Sequence, residues 1–211
     1  TDLATKSANA IFQVVEQLGS TSRVGARAQV DALEKKDRRI LSRMGLRVGK
    51  YSVFVTSLLQ PEVIRFRALL WAVFFKQTGL KIQIDGSPFI RVKRANMRCL
   101  SYAGYRRFGE VGLRVDTVER LVVLARQKAR QGSFLATADL VKAAGCEGDD
   151  LVTVMSGLGY KAVTEDIGVV FSIVRNNKTR RSKGRVRTNT KLLELNTNSP
   201  FAKLRELNSV K

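Results

Sequence analysis

Between Met44 and Val73 the chain reads MGLRVGKYSVFVTSLLQPEVIRFRALLWAV: a glycine-bracketed turn, a short alternating run and a proline-opened apolar segment in direct succession. The turn begins like a phosphate-binding loop and then departs from one. Such a loop needs four residues between its glycines, then Gly-Lys-Ser/Thr, so that successive N–H groups wrap the phosphates and the hydroxyl reaches Mg²⁺. Here three residues separate Gly45 from Gly49, and Tyr51 follows Lys50. With a short loop and no metal-binding hydroxyl, nucleotide binding is not expected. Tyr51, Val53 and Val55 alternate as a half-buried strand would. Pro61 stands where a helix can begin, because its fixed φ and missing N–H cost nothing at the first helical position. Val63, Ile64, Phe66, Leu69, Leu70, Val73 and Phe74 then make a wide apolar face around Trp71, which reads as a core helix ending before Gly79. A loop through Asp85, Gly86, Ser87 and Pro88 follows.

The block before this stretch is helical. Leu3, Ser7, Ile11, Val14, Val15 and Leu18 recur at helical spacing, with Gly19 as the stop. A second helix through Val30, Leu33, Ile40, Leu41 and Met44 carries a wet, mixed-charge face over Glu34–Arg39. The block after it reads as a small winged helix-turn-helix. Val115 to Arg130 is one helix, with Val118, Leu121, Val122 and Leu124 facing inward. Thr137 to Ala144 is a second helix with Thr137 as N-cap, Gly145 makes the turn, and Glu147 to Leu158 is the third. Val169 to Val174 reads as a strand that forms a wing with the Thr164–Gly168 turn.

Charge narrows the class. Lys and Arg number 38 against 18 Asp and Glu, a formal charge of +20 over 211 residues. A chain this basic usually meets a polyanion, most often nucleic acid and less often an anionic membrane surface. The alternative is a basic surface that is merely solvated. The chain contains no histidine. This removes Ser-His-Asp and Cys-His nucleophilic sites, His metal sites and the usual general base near neutral pH. Cys99 and Cys146 stand alone without a CxxC partner, as buried thiols of a reducing compartment do. No apolar run reaches the roughly 18 residues of a membrane span, and the first residues lack the apolar core of a secretory signal. The start at Thr1, within what reads as a helix, suggests a fragment or processed product.

Three places could meet nucleic acid. From Arg175 to Lys191 the chain carries Arg175, Lys178, Arg180, Arg181, Lys183, Arg185, Arg187 and Lys191 without an acidic residue. This composition favours a disordered basic arm that tracks phosphates, the alternative being an inert solubilising tail. Tyr102, Tyr105, Arg106 and Arg107 form a second candidate, where aromatics stack on unpaired bases beside guanidinium groups, unless the tyrosines are core. Arg47 and Lys50, near the bend before the strand, are the third. The third helix of the winged module opens on Glu147, Asp149 and Asp150, which suit a helix N-terminus and repel phosphate. That end is expected to dock a protein partner rather than read DNA.

Taken together, Ala10–Gly19 (AIFQVVEQLG), Gly45–Tyr51 (GLRVGKY), Leu58–Pro61 (LLQP) and Leu69–Ala72 (LLWA) fall in a familiar order. Gly104-Tyr105-Arg106, Arg114-Val115-Asp116, Val118-Glu119-Arg120-Leu121, Gly157–Tyr160 (GLGY) and Ser199–Leu204 (SPFAKL) continue it. The series resembles the C-terminal region of alphaproteobacterial DEAD/DEAH-type superfamily-two helicases, relatives of the mitochondrial degradosome RNA helicase. The resemblance runs from about Ala4 to Tyr160, plus the terminal motif. It departs over Gly79–Arg94, which has no family pattern, and at Thr56, where a proline is usual. It implies an accessory region downstream of a two-lobed ATP-driven motor, one that helps hold the strand and shapes the exit path or partner contacts. The motor motifs themselves have no counterpart in these residues.

The expected fold is therefore mainly α with small β elements (α+β). It comprises a helical accessory domain with a short strand pair over 1–95, a winged-helix-like module over 96–174, and a basic, disordered tail over 175–211. The expected function is that of a non-catalytic, nucleic-acid-binding C-terminal region of an ATP-dependent RNA (or DNA) helicase. It would need no cofactor or metal in this chain. Its partners would be single-stranded or structured RNA, the motor domains in cis and a protein at the third helix; its place would be the cytoplasm, with no membrane contact. The alternative is a stand-alone RNA-binding or ribosome-associated structural protein without a motor. If about five of the eight arm cations meet phosphates of a single strand, counterion release gives a log–log salt slope near about −3.5, roughly a hundredfold loss of affinity between about 50 and 200 mM salt. Truncation after Val174 should flatten that slope and weaken binding to all sequences alike, measured by titration against salt; an unchanged slope would make the arm a solvated tail.

Overall fold

The computed structural model describes residues 2–77, 84–91, 97–165 and 168–174. These form a mixed α+β fold built on three small three-stranded antiparallel sheets. The first helix, α1 (Asp2–Glu16), ends where the sequence places its stop: Leu18 and Gly19 both take positive φ, 58° and 98°, and turn the chain into β1 (Ser20–Ser22). The expected second helix is two, α2 (Arg27–Asp31) and α3 (Lys35–Arg43). The break is a capping box, in which Glu34 and Asp37 satisfy each other's backbone N–H groups. Asp37, read as part of a wet face, is buried for this reason.

A hairpin of β2 (Leu46–Val48) and β3 (Ser52–Val55) follows, and β1 pairs on the other edge of β3. The glycine-bracketed turn is thus a strand with a glycine at each end. A 3₁₀ turn (Thr56–Leu59) leads into α4 (Pro61–Phe74), which opens on its proline as expected. Its buried stripe holds Ile64 and Trp71 of the expected face but not most of the rest. Ile64, Arg67, Ala68, Trp71 and Ala72 face the core, while Phe66, Leu69, Leu70, Val73 and Phe74 are exposed. Counting apolar residues on a helix that is apolar nearly all round could not select the buried stripe. What selects it is fit: the small Ala68 and Ala72 admit the close approach of α5 (Met97–Tyr102), against which Trp71 packs.

The second sheet joins β4 (Phe89–Arg91), β6 (Val111–Arg114) and β5 (Tyr105–Phe108) in that order. Because β4 pairs with β6, strand pairing crosses the expected division at 95/96. The rest follows the winged order: α6 (Val115–Ala129), β7 (Phe134–Leu135), α7 (Ala138–Ala144), α8 (Gly148–Gly157), then the hairpin β8 (Tyr160–Glu165) and β9 (Gly168–Ile173), with β7 added to β9. Gly145 is left-handed at φ 72°, as the turn between α7 and α8 requires. Thr137 holds the N-cap position of α7 but its hydroxyl makes no capping bond. One core runs from Phe108, Val111 and Leu113 through Val118, Leu121 and Val122 to Met155 and Phe171, so the winged module shares its interior with the second sheet. No helix among the described residues is long and apolar enough to cross a membrane. The basic arm lies outside the described residues.

The buried stripe of α4 makes a direct prediction. Trp71→Ala should cost about 3–5 kcal/mol in urea unfolding, since it empties a core position. Phe66→Ala and Val73→Ala, 58% and 70% exposed, should each change stability by no more than about 0.5 kcal/mol.

Candidate nucleic-acid interface

A cleft of about 770 Å³ opens where β1, the β2–β3 turn, α2 and β5 meet. The first sheet positions one wall. Its register sets Ser22 opposite Ser52, so Arg23 emerges at the end of β1 beside the β2–β3 turn. There its backbone N–H donates to Tyr51 O at 2.8 Å and its Nη1 donates to Gly49 O at 2.8 Å. The second sheet supplies the other wall. Along β5, Tyr105 and Phe108 are buried, Arg106 is half-buried and Arg107 is exposed. Among the described residues the lining brings together Arg23, Arg27, Lys50, Arg106 and Arg107 against one carboxylate, Asp31. That carboxylate already accepts from Arg27 Nε at 3.4 Å. Ser20, Thr21, Ser22, Ser52 and Ser101 add a hydroxyl-rich floor.

Tyr51 organises the cations. Its hydroxyl donates to Leu158 O at 2.9 Å, anchoring the turn to the end of α8. The Arg106 guanidinium lies 4.5 Å from the centre of its ring and Lys50 Nζ 4.7 Å from it, both held by the electron-rich face. Arg106 also lies 5.6 Å from the Phe108 ring. A guanidinium stacked in this way keeps its own outer face for another planar group, and bases stack on such planes.

The turn is held from the other side by Glu119 of α6. Its Oε2 accepts the Lys50 N–H at 2.7 Å, and its Oε1 accepts those of Tyr51 at 2.8 Å and Ser52 at 2.9 Å. Successive N–H groups converging on one oxyanion form the kind of concavity that phosphate loops use. In this chain the anion is a side chain of its own, and the amides that a phosphate would need are taken. Gly49 is required there: a side-chain carbon at this position would overlap the Glu119 carboxyl group.

The sequence-derived candidates therefore regroup. Lys50, Arg106 and Arg107, assigned to two separate patches, share one cleft. Arg47 does not belong with Lys50: its Nη1 donates to Ser42 Oγ at 2.8 Å in a different groove with Arg38 and Arg120. Tyr105 is not a stacking platform. It is 2% exposed, its hydroxyl donates to Ser87 O at 2.8 Å, and burial raises its pKa, so the core reading holds for it. Tyr102 packs against Trp71 and Phe75. At the start of α8, Glu147 and Asp149 are exposed, whereas Asp150 Oδ2 accepts from Arg91 Nε at 3.1 Å and Nη2 at 2.7 Å. That carboxylate thus ties α8 to β4 within the chain rather than facing a partner unengaged. Arg175, Lys178, Arg180, Arg181, Lys183, Arg185, Arg187 and Lys191 lie outside the described residues. Arg23 and Arg27 were missed, though their four-residue spacing on a turn into a helix was visible. Glu119 carried no local signal at all, because its partners lie 67 to 69 residues away.

No group of three or more His, Cys, Asp or Glu able to hold a metal occurs among the described residues. Burial pushes both Cys99 and Cys146 thiols up to about 11, which leaves them little thiolate at neutral pH. Compared with protein-family models, curated proteins and solved structures, the chain matches none; the helicase resemblance rests on its own residues.

Glu119→Ala strands three backbone donors and should lower stability by about 2–3 kcal/mol. Gly49→Ala displaces the same carboxylate. The double variant should therefore cost clearly less than the sum of the two in denaturant unfolding, since both remove one contact. Additive losses would mean that the two positions act separately.

Proposed function

We propose that this chain is a non-catalytic, nucleic-acid-binding accessory region, and that the cleft between the first two sheets holds a single strand. The observation that supports it most is the convergence of Arg23, Arg27, Lys50, Arg106 and Arg107 on one cleft whose single carboxylate is already paired. Phosphates meet the outward guanidinium groups of Arg23, Arg27 and Arg107, and an unpaired base lies on the Arg106–Tyr51 stack. A single strand fits this chemistry better than a duplex, because stacking on Arg106 needs a base with a free face. The basic arm would add sequence-independent phosphate contacts. On the resemblance described above, the region would work in cis with an ATP-driven helicase motor, holding the strand while the motor moves it, and Glu147 and Asp149 would face a protein partner.

The test is affinity for a labelled single-stranded RNA against salt, in the full chain and in a chain truncated after Val174. Truncation should weaken binding without abolishing it. Within the truncated chain, Arg107→Ala should reduce the magnitude of the salt slope by about 0.7, one phosphate contact. Arg106→Lys should leave the slope nearly unchanged yet weaken binding by about 1–3 kcal/mol, because an ammonium keeps the charge and loses the stacking plane. No measurable binding after truncation would refute the cleft as the binding site.

A further inference from the structure

Arg67 has no part in the cleft as described so far, and with Asp37 it is one of two buried charged residues among those described. It sits on the inner face of α4, 3% exposed. Nη1 donates to Leu58 O at 3.0 Å and Nη2 to Ser20 Oγ at 2.7 Å, while Nε has no partner among the described residues. No carboxylate among them pairs with it: Asp31, Asp116 and Asp150 are bridged to Arg27, Arg114, Arg120 and Arg91 instead. Desolvation brings its pKa down to about 10, with no opposing charge to hold it up. A buried cation without a counter-ion is a cost to the fold, and an apolar side chain of similar volume would fill the same slot without it. The backbone nevertheless makes room for this one. Gly104, at φ 87°, passes so close that a side-chain carbon there would lie 3.0 Å from Arg67 Nη1.

Arg67 meets the cleft through Ser20. Ser20, whose hydroxyl accepts from Arg67, lines the cleft floor. The same hydroxyl donates to Ser101 O at 3.4 Å, a long bond that is given up at little cost. A hydroxyl that accepts from a guanidinium is polarised into a better donor. Low-dielectric surroundings screen the charge of this buried side chain little, so an ion held by the Ser20 hydroxyl would feel it.

We propose that the floor of the cleft at Ser20 is a phosphate subsite, with Arg67 beneath it as the buried counter-charge. The Ser20 hydroxyl turns from Ser101 O to an oxygen of the phosphate group, and the bound anion neutralises a charge that the free protein leaves uncompensated. This rests on the reading of the cleft as a strand-binding site, where the group would be one phosphodiester of the backbone. Arg67 acts through Ser20 and is a positioning residue.

The test uses the full chain and two probes, inorganic phosphate and a single-stranded oligonucleotide. Phosphate at about tenfold over its Kd should raise the thermal midpoint by roughly 3–5 °C relative to chloride at equal ionic strength. Arg67→Gln keeps a donor for Ser20 without the charge. It should abolish this increment and weaken oligonucleotide binding about tenfold, although every surface cation of the cleft remains. An equal fall of the midpoint in both salts, with the increment kept, would mean that Arg67 only supports the fold and would overturn the proposal. If the variant does not fold, ¹⁵N-detected arginine resonances of the unaltered chain decide. The Arg67 Nε signal should move as phosphate is added, and movement confined to surface arginines would count against the subsite. The two readings fail separately. An Arg67-dependent phosphate response without oligonucleotide binding keeps the subsite and removes the strand, whereas oligonucleotide binding indifferent to Arg67→Gln keeps the strand and removes the subsite.

Discussion

Three backbone N–H groups closing on the Glu119 carboxylate hold the two halves of the candidate site in one frame. On one side of that contact stands the first sheet, whose β2–β3 turn carries Lys50 and Tyr51. On the other stands α6, the first helix of the winged module and a wall of its core. The bond between Tyr51 Oη and Leu158 O adds a second tie from the same turn to the end of α8. Charge-assisted bonds to backbone amides are short and directional, so they fix position as well as adding stability. Because the turn is fixed, Tyr51 presents its ring to Arg106 across the cleft; without that contact the cations would sit on two surfaces with no common geometry.

The same arrangement explains why a phosphate-loop beginning leads to no nucleotide site. Amides in a glycine-edged turn attract whichever anion is nearest and best oriented. Here a carboxylate on the adjoining helix is permanently within reach, and its effective concentration exceeds that of any free ligand. The turn thereby becomes a clasp between structural units, and anion recognition shifts to side chains on the neighbouring face. Arg67 shows the complementary imbalance: a cation buried without a carboxylate, beside a cleft where fixed positive charge already exceeds negative. The half-buried Glu119 is matched inside the chain and the buried Arg67 is not, and Arg67 meets the cleft through Ser20.

Local physics determined much of this chain. Proline at the first position of α4, the positive-φ glycine between α7 and α8, and the spacing of Val118, Leu121 and Val122 are short-range constraints, and each could be read where it stood. The basic excess pointed towards a polyanion for an equally simple reason, since charge is countable without a fold. The three-residue strands β1, β2 and β4 were not legible. Segments that short have no periodicity of their own and become strands only because a partner lies alongside.

The tertiary structure alone decided which face of α4 is inside, because a helix apolar nearly all round leaves that choice to the shape of its neighbours. It also decided that Tyr105 belongs to the core while Arg106 and Arg107 face the cleft. Strand alternation alone would set Arg106 and Arg107 on opposite faces, and both line the cleft nonetheless. Finally, it brought Glu119 to the β2–β3 turn and Arg67 to Ser20, contacts between residues 69 and 47 positions apart. Sequence by itself specifies the groups able to make those contacts; packing selects the pairs, because a charge takes its meaning from what surrounds it in space.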